Sequence, residues 1–99
     1  MNESVEVGLP AYVLKLYVTH VTSVHTAYVE RIRQWCSVRS VPLDLTIINI
    51  LEQPDRAIHS RIFAAPTLVR ESPSPSLRVV GNLDDTDRIM RFLQMPGAE

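Results

Sequence analysis

AYVLKLYV, residues 11–18, is apolar or aromatic at every position except Lys15 and has the β-branched and aromatic bias of a strand. A strand apolar on both faces belongs in the middle of a sheet that is covered on both sides. Beyond it, THVTS supplies hydroxyl groups, and Thr22 or Ser23 can accept a bond from a free backbone N–H to start a helix. Val24, Tyr28, Ile32 and Trp35 then recur at spacings of four, four and three, which puts them on one helical face while Glu30, Arg31 and Arg33 point away. After the SVRSVP turn, residues 43–51 read LDLTIINIL. Leu43, Leu45, Ile47, Asn49 and Leu51 fall on one side of an extended chain, and Asp44, Thr46, Ile48 and Ile50 on the other. Strand, helix and strand within about forty residues predict a right-handed crossover joining a parallel pair.

Pro54 suits the first turn of a second helix, where its missing N–H costs nothing, and Ala57, Ile58, Ile62 and Phe63 give that helix a short apolar stripe. Residues 67–70 and 77–80 are brief β-prone runs joined by the polar ESPSPS link of a hairpin. Gly81 and Asn82 turn the chain, and Asp84 or Asp85 can cap a last helix carrying Ile89, Met90, Phe92 and Leu93 before Pro96 ends it. The order is βαβαββα with Pro66 immediately before the third strand. That is the layout of a thioredoxin-like α/β fold, a mixed four-stranded sheet with helices on both faces. Residues 11–95 form the one domain, preceded by a tail at residues 1–10.

The chain of 99 residues is long enough for one modest core. Its composition, 45% hydrophobic and 21% charged, is that of an ordinary globular protein. Ten basic and eleven acidic side chains leave a formal charge of -1, so no field exists to hold nucleic acid or an anionic membrane by counterion release. No apolar run approaches the ~20 residues of a membrane span, and the N-terminus lacks a basic flank and an apolar signal core. A cytoplasmic protein is expected. The single cysteine, Cys36, has no internal disulfide partner.

Thiol redox chemistry on such a fold needs a low-pKa thiolate at the start of the first helix, and residues 19–25 contain no cysteine. Cys36 falls at the far end of that helix, where the dipole disfavours a thiolate, so it reads as a packing residue. A redox or glutathione-using enzyme is therefore the alternative function, with the proline before the third strand in its favour and the empty first loop against it. His20 and His25 match no metal-ligand spacing, and Asp84, Asp85 and Asp87 at the head of a helix are explained by capping, so no metal or cofactor is expected. No nucleophile elbow or phosphate-cradling loop can be built around Gly8, Gly81 and Gly97. Arg61, Arg70 and Arg78 surround the Pro66 junction and the hairpin, and arginine is enriched at protein contacts. They are the candidate partner-binding residues.

YVLKLYV, residues 12–18, resembles the opening strand of KaiB proteins, and the likeness continues without a gap through Leu93. Its landmarks are Ile47, Ile48, Ile50, Leu51 and Pro54, then Ala64, Pro66, Thr67 and Leu68 in AAPTL, Pro73 and Pro75, and Gly81 and Leu83 in GNL. The resemblance implies a non-enzymatic clock component that binds a KaiC-type ATPase ring, competes with a kinase carrying a similar domain, and sequesters KaiA. It also implies a fold switch, between a resting tetramer of another topology and a thioredoxin-like monomer that binds partners. Arg61, Arg70 and Arg78 fall where the family carries Lys or Arg at its ring-contacting surface. His20, Val21, Thr22 and Ser23 replace the family's Gly-Asn-Thr-Pro, Asn49 its Asp and Glu52 its following Lys. Thr46 replaces the Lys near the KaiA contact, which weighs against a KaiA-like partner. Where the family reads Ile-Gly-Leu-Asp, this chain has Arg91, Phe92, Leu93 and Gln94, better helix formers on balance, so Phe92 and Gln94 are expected to hold the last segment helical and the resting state monomeric. Pro66 and Gly81 are the other structural positions.

Overall fold

The computed structural model describes residues 11–98; the tail expected at residues 1–10 lies outside the described residues. Seven elements follow in the expected order: β1 Tyr12–Val18, α1 Ser23–Val38, β2 Leu43–Asn49, α2 Pro54–His59, β3 Thr67–Ser72, β4 Leu77–Val80 and α3 Thr86–Phe92. The sheet runs β2-β1-β3-β4, so the apolar β1 is an inner strand as its composition requires. β1 pairs with β2 in parallel, from Tyr12 with Leu43 to Val18 with Asn49. β3 is antiparallel to β1, with a register shift between Val13 and Leu14, and β4 is antiparallel to β3.

Side chains alternate across the sheet and divide the interior in two. On one face Leu14, Leu16, Val18, Leu45 and Leu68 pack under α1 and α3, against Ile32, Trp35, Cys36, Ile89, Met90 and Leu93. On the other, Tyr17, Ile48 and Val69 pack with Ile50 and Ile62 beneath the α2 segment. Burial of each such Leu, Ile or Val contributes about 1.5–3 kcal/mol, so the larger cluster dominates stability. α1 is also tied by polar bonds: Arg33 Nη2 donates to the Leu45 carbonyl at 3.1 Å, and Trp35 Nε1 donates to Asp87 Oδ1 at 2.9 Å.

The ends of the elements show what the chain pattern missed. α1 starts after Thr22, whose backbone N–H donates to His25 Nδ1 at 3.3 Å, so His25 serves the helix start. Val24 is exposed despite its place in the helical stripe. β2 stops at Asn49, two residues short of the expected 51, because Asn49 Oδ1 accepts the N–H groups of Leu51 at 2.9 Å and Glu52 at 3.2 Å and turns the chain. The three helices among the described residues end alike. The N–H of Val41 reaches back to the Cys36 carbonyl, that of Ile62 to Ala57 and that of Met95 to Met90, each with a residue in the left-handed conformation just before it. These residues are Ser40, Arg61 and Gln94, at φ of 57°, 56° and 54°, where glycine is the usual occupant. Gln94 therefore stands beyond α3, and the helix propensity credited to it acts at no helical position; Phe92 is the last residue of the helix.

Candidate partner-binding surface

Pro66 follows a cis peptide bond from Ala65 and leads directly into β3. Thr67 is buried beside it and donates from Oγ1 to the Ala64 carbonyl at 2.6 Å. The Gly81 N–H donates to the Pro66 carbonyl at 3.0 Å, so the turn after β4 closes on the loop before β3. Gly81 has φ +103°, a conformation that strains any residue with a Cβ. Two positions expected to be structural thus meet each other.

Arg78 projects from β4 toward α2. Its Nη1 donates to the Arg61 carbonyl and its Nη2 to the Ser60 carbonyl, both at 2.9 Å. The guanidinium clasps the carbonyl end of α2, where a positive charge is favoured, and fixes the loop that carries Arg61. Tyr17 supports the same end from below, through a 2.9 Å bond between its hydroxyl and Ser60 Oγ. Both Arg61 and Arg78 are exposed, and among the described residues neither forms an ion pair with a carboxylate. Ile58 and Phe63, from the same helix end and loop, are 74% and 91% exposed. They were expected in an apolar stripe facing inward. The helix stops at His59, so it buries Ala57 alone, and Ile62 is half-buried by the loop after it. A helix of six residues has too few turns to bring all four to one side.

Arg70 does not join this group. It lies beside Val69 in β3, and Val69 pairs with Arg78 while Arg70 pairs with Leu77, so Arg70 and Arg78 fall on opposite faces of the sheet. Arg70 is only 4% exposed, donating to the Pro75 carbonyl at 3.0 Å and the Gln94 carbonyl at 3.3 Å, with its Nε buried and unpartnered. The expectation that all three arginines share one surface is corrected to Arg61 and Arg78; proximity along the chain suggested three, and strand parity leaves two.

Cys36 is buried against the sheet, and burial pushes its thiol above its ordinary pKa, with the Arg39 charge opposing. The aspartates are spent locally. Asp85 Oδ1 accepts the Arg88 N–H at 3.1 Å as the α3 cap, Asp87 holds Trp35, and Asp84 lies 3.9 Å from Arg31. Among the described residues no cluster of three or more potential metal ligands occurs, and no helix is long and apolar enough to cross a membrane.

Solved structures share this architecture. The N-terminal domain of SasA from Synechococcus elongatus superposes with a TM-score of 0.67 at 22% identity, covering 98% of this chain and 97% of that one. Thioredoxin 1 from Thermosipho africanus gives 0.56 at 16% identity, covering 84% and 96%. At such identities the likeness establishes a thioredoxin-like fold. In sequence, the circadian clock oscillator protein KaiB of Synechococcus sp. (strain RCC307) is 32% identical over 85 residues, 85% of this chain and 77% of the relative. Circadian clock protein KaiB3 of Synechocystis sp. is 35% identical over 52 residues, which span 52% of this chain and 51% of that protein. The KaiB domain model matches residues 15–95, from within β1 to just past α3, and the chain belongs to the KaiB family.

Proposed function

We propose that this chain is a non-catalytic clock module that docks on a KaiC-type ATPase ring in its thioredoxin-like form, through the α2 end carrying Arg61, Arg78, Ile58 and Phe63. The observation that carries this reading is the clasp of Arg78 on the Ser60 and Arg61 carbonyls, which fixes one cation, and the loop bearing a second, beside two exposed apolar side chains. Apolar area flanked by fixed, unpaired charge is the composition of a protein interface, and arginine and aromatic residues dominate the energetics of such surfaces. The KaiB relatives, named as clock proteins, support the choice of partner. The redox alternative gains nothing from the site, since the one cysteine is buried and its thiol is disfavoured as a thiolate. The resting state in this reading is a monomer in the thioredoxin-like topology.

Pull-down against a purified KaiC-type ATPase, with and without nucleotide, tests the proposal. Phe63→Ser and Ile58→Ser, at exposed positions, should fold as the parent does and lose binding; charge reversal at Arg61 should weaken it further. Retention of parental binding by all three variants would place the ring elsewhere.

A further inference from the structure

β4 is an edge strand, paired with β3 on one side only. Among the described residues no strand covers its other side, where the N–H and C=O groups of alternate residues point outward, and such an edge is a template for a further strand. α3 overhangs this edge. Asp85, Arg88, Ile89 and Phe92 lie on one helical face and, with Val79 and Val80, line a groove of about 400 Å³. Ile89 is buried at its base, Val79 is half-buried, and Phe92 stands 58% exposed on the rim.

Charge along the groove is uneven. Arg70 bonds both Gln94 and Pro75, so the C-terminal end of α3 sits at the hairpin end of β4, near Leu77. Arg88 and Arg91 flank Phe92 and line a second hollow of about 360 Å³ with it, the Arg88 guanidinium resting 5.5 Å from the ring centroid. Neither arginine forms an ion pair among the described residues. At the other end Asp84 and Asp85 line the groove, Asp85 Oδ1 accepting the Arg88 N–H as the α3 cap and Asp84 lying 3.9 Å from Arg31. The groove is thus polarised, cationic toward the Leu77 end and anionic toward the start of α3.

We propose that the β4–α3 groove receives an extended peptide from a partner protein as a fifth strand. The strand runs antiparallel to β4, with alternate aliphatic side chains on Val79, Ile89 and Phe92 and an acidic residue C-terminal to them against Arg88 and Arg91. Antiparallel addition is the more stable pairing and delivers the C-terminal end of the peptide to the cationic end of the groove. The groove shares no residue with the Arg61–Arg78 cluster, so this inference stands or falls separately from ring binding.

The probe is a fluorescein-labelled peptide, Lys-Thr-Val-Thr-Val-Thr-Val-Glu-Glu, with its charge-swapped counterpart Glu-Glu-Val-Thr-Val-Thr-Val-Thr-Lys as control. With the full chain, anisotropy should saturate for the probe, and amide resonances of Leu77–Val80 should shift while their hydrogen exchange slows. The double variant Arg88→Glu, Arg91→Glu, with helix content and unfolding midpoint like the parent's, should weaken the probe by roughly tenfold or more and favour the swapped peptide. Phe92→Ser should weaken both peptides. Absence of binding at about 1 mM probe, resonance shifts at β2 in place of β4, or indifference to the charge swap would each overturn the proposal. A concentration-dependent dimer protecting the β4 amides, unaffected by the probe, would assign the edge to a second copy and overturn it equally.

Discussion

Replacing Arg70 by alanine tests the separation of the two sheet faces. The substitution removes two hydrogen bonds from a charged donor, of which the 3.0 Å bond to Pro75 is well formed and the 3.3 Å bond to Gln94 is long. Bonds of this class contribute about 1.5–3 kcal/mol each, and the longer one belongs at or below the bottom of that range. Loss of the buried side-chain methylenes removes about 0.8 kcal/mol apiece, roughly 2 kcal/mol in all. Relief from holding a guanidinium out of water, with Nε unpartnered, returns a few kcal/mol in the opposite direction. The expected net loss is about 2–3 kcal/mol. Arg70→Met keeps most of the apolar stem and gains the same relief, so its loss should be smaller, about 1 kcal/mol. Urea unfolding followed by fluorescence of the single tryptophan, Trp35, reads the difference as a midpoint lowered by about 1–2 M for alanine. Ring binding, measured where both variants remain folded, should equal the parent's. An Arg70→Ala variant that unfolds at the parental midpoint yet loses the ring would show a solvent-facing contact arginine, and the face assignment would be refuted.

Gln94→Gly should stabilise the protein by about 0.5–1 kcal/mol, because relief of a left-handed non-glycine residue, about 1–2 kcal/mol, exceeds the added freedom of glycine in the unfolded chain, about 0.4–1 kcal/mol. A thermal midpoint that fails to rise by a few degrees would count against the helix-end geometry. Cys36 should resist Ellman's reagent in the native protein at pH 8 and react once urea unfolds it, since burial raises its pKa. With the folded-state pKa above the unfolded one, the stabilisation is complete below the ordinary thiol pKa and is lost as pH rises past it, so the urea midpoint should fall on the alkaline side in the parent and less in Cys36→Ala. Sedimentation should report a monomer at rest with helical chemical shifts across Thr86–Phe92; a tetramer with strand-like shifts there would sink the proposed resting state.

The order of elements was legible because β1 is apolar on both faces and the hydrophobic period changes cleanly between α1 and β2. Pro66 could be placed before β3 from local sequence alone. Burial at the α2 end was not legible, since a period of 3.6 assigns a face only while the helix lasts, and α2 ends before Ile62 and Phe63. Asn49 looked like a strand residue by alternation, yet its side-chain oxygen competes for the following backbone N–H groups and stops β2. The arginines show a different limit. Their residue type and neighbourhood were correct signals of positive charge near the hairpin, but their division between faces depends on the β3–β4 register, a non-local pairing. Once that register is known, parity follows: Val69 and Arg78 share one face, and Arg70 goes with Leu77 to the other.

Strand parity also separates the two surfaces proposed above on one small sheet. The face under α1 and α3 is closed by the larger apolar cluster and by the Trp35–Asp87 and Arg33–Leu45 bonds, and Arg70 is used inside it to tie the hairpin to the end of α3. Among the described residues the opposite face is covered by a six-residue helix and the loop after it, and the carbonyl end of that helix takes the Arg78 clasp and leaves Ile58 and Phe63 in solvent. The outer edge of β4 lies at the margin between these faces, with Val79 turned toward α3 and Arg78 toward α2. A fifth strand added there would extend hydrogen bonding without displacing the Arg78 clasp, because side chains leave a strand perpendicular to its pairing direction. Occupancy of the edge and of the α2 end should therefore be compatible in one complex, with a peptide-saturated protein retaining its affinity for the ring; mutual exclusion would mean that the two surfaces overlap on β4.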